Sequence, residues 1–146
     1  SDGEYDSGKS EELDVLAAIN YCFDELNVKD LYLIGWSFGT ELALQYGRDK
    51  RIKELILLSP PMLSTTQDDL DFWAKDGRPI TALIPELDEY LTPEAARKRF
   101  ASVSNLKQID VKDAKHLWVG EPMVALVLSE IVKIIAPSRL PLPTEV

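Results

Sequence analysis

Cysteine and histidine are each present only once in this 146-residue chain. The single cysteine, Cys22, excludes an internal disulfide and fits a reducing compartment, so we expect a cytoplasmic location. No apolar run reaches the length of a transmembrane helix, and no basic segment followed by an apolar one opens the chain as a secretion signal would. These absences argue against a disulfide-stapled secreted domain and against an integral membrane protein.

Basic residues are also in the minority. The chain has 16 Lys and Arg against 25 Asp and Glu, which gives a formal net charge of −9 and a pI near 4.6. The acidic residues are dispersed along the sequence, so the whole surface is expected to repel polyanions. We therefore expect no nucleic acid and no anionic membrane among the partners of this protein.

The length and composition are those of a single domain. Apolar residues make up 45% of the chain, which is enough for one sizeable core. We expect one domain over residues 1–137 and a proline-rich tail over residues 138–146. The chain opens with Ser1 instead of Met, in the polar stretch SDGEYDSGKSEE, which indicates a processed form or a fragment.

Helical and strand patterns alternate along the chain. The spacing of apolar residues predicts an α/β fold, in which a parallel sheet is connected by helical crossovers. The boundary signals are Ser10, Thr65 or Thr66, and Thr92 before helices, with Gly47, Gly77 and Pro137 after them. The strand at 31–34 is apolar at successive positions, so we expect both of its faces to be covered. The predicted helices span 11–26, 38–46, about 67–75, from 93 onward and 121 to about 136, and the strands span 31–34, 52–58, 80–84 and 107–111.

The stretch Gly35-Trp36-Ser37-Phe38-Gly39 joins the first predicted strand to the second helix. A serine with a glycine two residues away on each side, between a strand and a helix, is typical of a nucleophile elbow. The bend is so tight that its neighbours must be small, which Gly35 and Gly39 would satisfy. The same pattern also occurs in glycine-rich phosphate loops and in plain turns.

A serine nucleophile needs a base, and His116 is the only histidine available. It comes after the last predicted strand, and the carboxyl ends of parallel strands meet along one crevice, so Ser37 and His116 should lie on the same rim. A carboxylate is expected between them to orient the imidazole. Asp88, after the strand at 80–84, is the first choice, with Glu86 and Glu89 as alternatives.

With these residues, the sequence resembles the carboxyl-terminal half of the α/β-hydrolase superfamily. GWSFG resembles the elbow, ALIPELD the strand end that bears the acid, and DAKH the histidine loop. The resemblance implies a serine hydrolase that cleaves an ester, thioester or amide through Ser37, His116 and Asp88, with no metal or organic cofactor. It also implies that the N–H of Phe38 donates to the oxyanion.

The same resemblance implies that the family's first four strands precede the part of the fold present here. Residues 1–10 resemble the segment that comes after the fourth strand in such enzymes. The second oxyanion donor and the strand that pairs with 31–34 would then lie outside this chain. A bare apolar strand edge invites association, so we expect another chain, a cleaved segment or a second copy in a homo-oligomer to cover it.

Other residues near the elbow have two interpretations each. Trp36 and Phe38 could line an acyl pocket or pack against the sheet, and Trp118 could wall the site or cover the last strand. Ser59 is interpreted as a turn residue, and Tyr90 as a surface tyrosine or a donor to Asp88. The acidic cluster formed by Asp68, Asp69, Asp71 and Asp76 lacks the glycine and glutamate spacing of a calcium loop.

Many members of the family that this sequence resembles insert a lid between the second and third of these strands. In this sequence, the segment holds one short predicted helix. A small or absent lid favours small or extended acyl substrates. The alternative to a hydrolase is a non-catalytic domain of the same fold used for binding or assembly, or a fragment that is inactive without its amino-terminal half.

Overall fold

Within residues 10–143, four parallel strands form one sheet in the order β1-β2-β3-β4, with helices in the crossovers. The computed structural model describes residues 10–143. The expected α/β fold with helical crossovers is therefore confirmed. Its elements are α1 (Glu11–Asp24), β1 (Leu31–Trp36), α2 (Phe38–Tyr46), β2 (Ile52–Leu58), α3 (Gln67–Asp76), β3 (Ile80–Pro85), α4 (Pro93–Arg99), β4 (Leu106–Val111), α5 (Glu121–Ile135) and a 3₁₀ turn at Pro137–Arg139.

Helix boundaries agree with the local signals in the sequence. Thr66 caps α3 in a reciprocal box, in which its side chain accepts from the Asp69 N–H and the Asp69 carboxylate accepts from the Thr66 N–H. Gly77 ends the same helix in the left-handed conformation, with φ 79°. Thr92 caps α4, and Pro93 occupies its first position as expected. The first helix ends at Asp24, two residues short of the predicted boundary.

Helices cover the two faces of the sheet unequally. On one face, α1 to α4 enclose the larger apolar cluster, centred on Leu55, Leu57 and the fully buried Trp73. The Trp73 indole donates to the Leu44 carbonyl at 2.8 Å, which satisfies its only polar group. On the other face, α5 packs its Val127 and Ile131 over the strands, and it is the one helix on that face within residues 10–143.

The expectation that both faces of the first strand are covered is wrong. Leu31 and Leu33 pack into the larger cluster, but Ile34 and Trp36 are 43% and 50% exposed. Within residues 10–143, β1 pairs only with β2, so β1 is an edge strand. The successive apolar residues of β1 therefore give an apolar strip on the sheet face that also carries α5.

The division into a domain at 1–137 and a tail at 138–146 stays a prediction. The first residues of the tail form a 3₁₀ turn with Pro137. Residues 1–9 and 144–146, which belong to these two predictions, lie outside the described residues.

Candidate active site

Ser37 occupies the sharp turn between β1 and α2. Its backbone angles are φ 51° and ψ −123°, a combination that residues other than glycine rarely adopt. Hydrogen bonds hold the turn in place: the Ser37 N–H donates to the Leu58 carbonyl at 2.9 Å, and the Thr40 hydroxyl donates to the Ser37 carbonyl at 2.7 Å. The neighbouring strand and the helix thus fix a strained backbone that presents the serine side chain.

The two glycines of the motif have different roles. A Cβ atom on Gly35 would lie 2.4 Å from the Gly39 carbonyl oxygen and 2.7 Å from the Thr40 Cα. Gly35 is therefore required for the close approach of β1 to α2. A Cβ atom on Gly39 would meet nothing within 4 Å among the described residues. The expectation that both glycines are needed for space is wrong for Gly39.

His116 lies in the loop between β4 and α5, at the same edge of the sheet as Ser37. Its Nε2 atom is 2.8 Å from the Ser37 Oγ atom. The side chain is largely buried, since the residue is only 8% exposed. The sequence predicted this proximity because both residues come after parallel strands.

Asp88 completes a hydrogen-bonded chain with Ser37 and His116. Its Oδ2 atom is 2.9 Å from the His116 Nδ1 atom, and its Oδ1 atom accepts from the Tyr90 N–H at 2.8 Å. Because a carboxylate only accepts, this contact assigns the proton to Nδ1 and leaves the Nε2 lone pair to accept from the Ser37 hydroxyl. Asp88 is buried, which keeps water from competing for these bonds.

Neither of the two alternative carboxylates has a hydrogen bond to His116 in the part of the chain that the structure describes. Glu86 is exposed and accepts from the Asp113 N–H at 2.9 Å. Glu89 is exposed as well, and it lines a surface cleft of about 300 Å³ beside His116. Of these three acidic residues, Asp88 is the one that the structure places against the imidazole.

Tyr90 contacts the site with its ring and its backbone. The ring lies 4.8 Å from the imidazole of His116, centroid to centroid, at an interplanar angle of 55°. The donor to Asp88 is the backbone N–H of Tyr90, while the residue is 52% exposed. The sequence suggested the tyrosine as a donor to Asp88 but gave no sign that its backbone would donate.

Ser59 is part of this site in a way that its sequence position did not predict. It ends β2 as a turn residue should, but its hydroxyl donates to the His116 carbonyl at 3.0 Å. The Trp36 indole donates to the same carbonyl at 3.3 Å. The sequence shows a serine at a strand end before two prolines, which predicts only a turn. The contact itself joins residues 57 apart in sequence, so no local sequence pattern indicates it.

Apolar side chains line a cavity of about 240 Å³ between the end of β1 and α5. Trp36 and Leu117, the direct sequence neighbours of Ser37 and His116, line it together with Trp118 and α5 residues. Trp118 is only 5% exposed and packs against α5, so it both covers the sheet and forms a wall of the cavity. Phe38 is half-buried at the first position of α2.

Two of the acidic residues of α3, one near each end of the helix, form ion pairs with arginine side chains. Asp69 caps α3 and forms an ion pair with Arg48. Asp76 forms an ion pair with Arg78, whose hydrogen bond lowers the pKa of Asp76 below its ordinary value. Among residues 10–143, no three His, Cys, Asp or Glu side chains are grouped as metal ligands. No helix in that range is both long and apolar enough to cross a membrane.

The profile of the α/β-hydrolase fold family matches residues 4–116, and the chain belongs to this family. Similar solved structures include an α/β serine hydrolase homologue from Coxiella burnetii (21% identity, TM-score 0.77, covering 92% of this chain and 63% of that one). A lidless α/β serine hydrolase from Xanthomonas campestris is 20% identical, with a TM-score of 0.73 and coverage of 92% and 61%.

A Pyrococcus furiosus esterase is 21% identical, with a TM-score of 0.67 and coverage of 94% and 64%. The chain thus spans less than two thirds of the length of each of these three structures. No curated protein matches the sequence.

Proposed function

We propose that this protein is a serine hydrolase that cleaves an ester, thioester or amide through an acyl-enzyme on Ser37. The observation that carries the proposal is the continuous hydrogen-bonded chain from the Ser37 Oγ through His116 to Asp88, with links of 2.8 and 2.9 Å. Its three members come after β1, β3 and β4, so the sheet presents them at one edge. Membership of the α/β-hydrolase family supports the same conclusion.

The geometry is suited to acyl transfer in two steps. The Ser37 oxygen attacks the substrate carbonyl while the His116 Nε2 takes the hydroxyl proton. The imidazolium then gives this proton to the leaving alcohol, thiol or amine as its bond to the carbonyl carbon breaks. In the second step His116 takes a proton from a water molecule, whose oxygen attacks the acyl carbon; the bond from this carbon to the Ser37 oxygen breaks, and the imidazolium returns the proton to that oxygen. Asp88 holds the imidazole in orientation and stabilises its charged form in both steps.

The oxyanion of each tetrahedral intermediate needs hydrogen-bond donors. The Phe38 N–H is proposed as one, because Phe38 is next to the nucleophile and opens α2, where the helix dipole favours negative charge. A second donor is proposed to come from a segment outside this chain. The same segment, or a second copy in a homo-oligomer, is proposed to cover the free edge of β1.

Small or extended acyl compounds are the proposed substrates. The connection between β2 and β3 holds α3 as its only helix, so little chain is available there to close over Ser37. The lidless relative from Xanthomonas is consistent with this arrangement. A series of p-nitrophenyl esters tests it: we expect faster turnover of short chains, and a marked preference for long ones would contradict the proposal.

A fluorophosphonate probe tests the hydrolase proposal directly, because it reacts covalently with activated serines. We expect labelling of the wild-type protein at Ser37, located by peptide mass spectrometry, and none in Ser37→Ala. Ser102→Ala is a matched control, since Ser102 is exposed and makes its side-chain contact with Gln67 far from the site. If the wild-type protein, assayed both alone and with any segment that completes it, is not labelled at Ser37, the hydrolase proposal is wrong.

A non-catalytic binding or assembly domain is the second candidate. Two observations favour it: β1 has a free edge within the described residues, and the chain spans 63% of its Coxiella structural relative. If this alternative is correct, the wild-type protein shows no measurable turnover, and Ser37→Ala binds its partner as the wild-type protein does. A cytoplasmic location is proposed for either function, because a single cysteine fits a reducing compartment.

A further inference from the structure

The backbone carbonyl of His116 is held by two side chains from two different strand ends. The Ser59 hydroxyl donates to it at 3.0 Å, and the Trp36 indole donates to it at 3.3 Å. Trp36 is the last residue of β1, and its register partner Leu58 directly precedes Ser59. The histidine loop is thereby tied to the two strands that flank the serine turn.

Ser59 makes this contact from a strained backbone conformation. Its φ is 49°, in the left-handed region, where glycine would be less strained. It is also completely buried, and its N–H donates to the Leu83 carbonyl at 3.1 Å. A glycine could make the same backbone bond with less strain, so the hydroxyl is the feature that serine adds. Strained residues of this kind concentrate at functional sites.

The end of β2 contacts both partners of the Ser37–His116 hydrogen bond. The Leu58 carbonyl accepts from the Ser37 N–H at 2.9 Å, and the next residue, Ser59, donates to His116. Two consecutive residues at the end of β2 thus bind the backbones of both the nucleophile and the base. The distance between nucleophile and base matters because a misplacement of about 1 Å can slow a reaction by roughly 100-fold.

We propose that Ser59, assisted by the Trp36 indole, is a positioning residue that fixes His116 at hydrogen-bonding distance from Ser37. Neither side chain takes part in proton transfer. This inference rests on the proposed function, since it assigns the support of the same site. Asp88 and Tyr90 restrain the imidazole ring, whereas Ser59 and Trp36 restrain the backbone from which the ring projects.

Two variants at position 59 separate the hydroxyl from the backbone. Ser59→Ala removes the hydroxyl and keeps the strained backbone, while Ser59→Gly removes the hydroxyl and relieves the strain. We expect both to react with the fluorophosphonate probe at least roughly 10-fold more slowly than wild type, and Ser102→Ala to react at the wild-type rate. A thermal unfolding midpoint for each variant confirms that folded protein is compared.

The labelling rate of Ser59→Gly shows whether the Ser59 hydroxyl positions His116 or only stabilises the fold. A wild-type labelling rate in this variant would overturn the inference, because the backbone alone would then suffice. Trp36→Phe provides a second test, since it removes the indole donor and keeps an aromatic ring. We expect a smaller decrease for it than for Ser59→Ala, because its hydrogen bond is longer.

NMR of the imidazole tests the inference without any activity. His116 is the only histidine, so after removal of any affinity tag its ring signals are unambiguous. We expect one sharp set of ring signals with a protonated Nδ1 in the wild-type protein, and broadened or split signals in Ser59→Ala and Ser59→Gly. Unchanged signals would overturn the inference. If the wild-type protein is not labelled but these signals change, the proposed function fails and the positioning of His116 stands.

Discussion

Replacing Gly35 by alanine should damage this protein far more than the same change at Gly39, four residues away in the same motif. The Cβ atom added at position 35 would lie 2.4 Å from the Gly39 carbonyl oxygen and 2.7 Å from both the Gly39 carbonyl carbon and the Thr40 Cα. All three atoms belong to the backbone of α2, so no side chain can rotate away. At Gly39, an added Cβ meets nothing within 4 Å among the described residues.

The expected magnitudes come from these contacts. Carbon atoms prefer separations of about 3.5–4.0 Å, so β1 and α2 would have to separate by roughly 1 Å. Added methyl groups in packed sites cost about 1–3 kcal/mol, and more where the surroundings are rigid. We expect Gly35→Ala to lower the free energy of unfolding by about 3 kcal/mol, which corresponds to a decrease in Tm of roughly 6–12 °C. Gly39→Ala should be neutral or stabilise by up to about 1 kcal/mol, because alanine favours helix.

Urea unfolding followed by circular dichroism measures both variants, with calorimetry for the Tm values. The wild-type m-value should be retained in Gly39→Ala, as a sign that the denatured state is unchanged. If Gly35→Ala is as stable as wild type, or if the two variants lose equal stability, the assignment of Gly35 as the position of closest approach is wrong. Fluorophosphonate labelling should also decrease in Gly35→Ala, because Ser37 moves with the turn.

Three further predictions concern charges and caps. Asp88→Asn should slow fluorophosphonate labelling by roughly 10³–10⁴-fold, because the amide stabilises the wrong imidazole tautomer; a loss below about 10-fold would contradict the role of Asp88. Asp76→Asn should cost about 1–2 kcal/mol at neutral pH by removing the ion pair with Arg78. Arg78 lowers the pKa of Asp76 in the folded state, so the stability from the ion pair is present above the unfolded pKa of Asp76 and is lost as pH falls through its folded pKa. Urea unfolding at neutral and acidic pH measures the difference in free energy between Asp76→Asn and wild type. An equal difference at both pH values would contradict this prediction. Thr66→Ala should cost about 1 kcal/mol in thermal unfolding through loss of the α3 cap, and Thr66→Ser, which keeps the hydroxyl, should cost much less.

Local signals predicted the elements of this fold closely. Thr92 caps α4 as predicted, and Thr66, one of the two candidates, caps α3. The strand β2 spans the seven residues Ile52–Leu58 as predicted. These features depend on residues only a few positions apart, and such interactions are visible in the sequence. The proximity of Ser37 and His116 was also predictable, since parallel strands bring their carboxyl ends together.

Features that depend on contacts between distant parts of the chain were harder to predict from the sequence. The exposure of Ile34 and Trp36 depends on whether a helix covers the face of the sheet at β1, and an apolar run in the sequence looks the same under a helix as beside one. The Ser59 contact depends on a carbonyl far along the chain, and carbonyls have no sequence signature. Among Asp88, Glu86 and Glu89, local pattern left the choice open, because only the shape of the loop after β3 decides which carboxylate turns inward.

The strictly sequential strand order has a consequence for synthesis. Each strand lies beside the one that precedes it in the chain, so the ribosome synthesises the serine turn after β1 well before the histidine loop after β4. Until the histidine loop after β4 is in place, the hydroxyl of Ser37 has no imidazole beside it. If the proposed function is correct, a chain that stops before this loop would hold an unreactive serine, and labelling at Ser37 would require β4 to have docked.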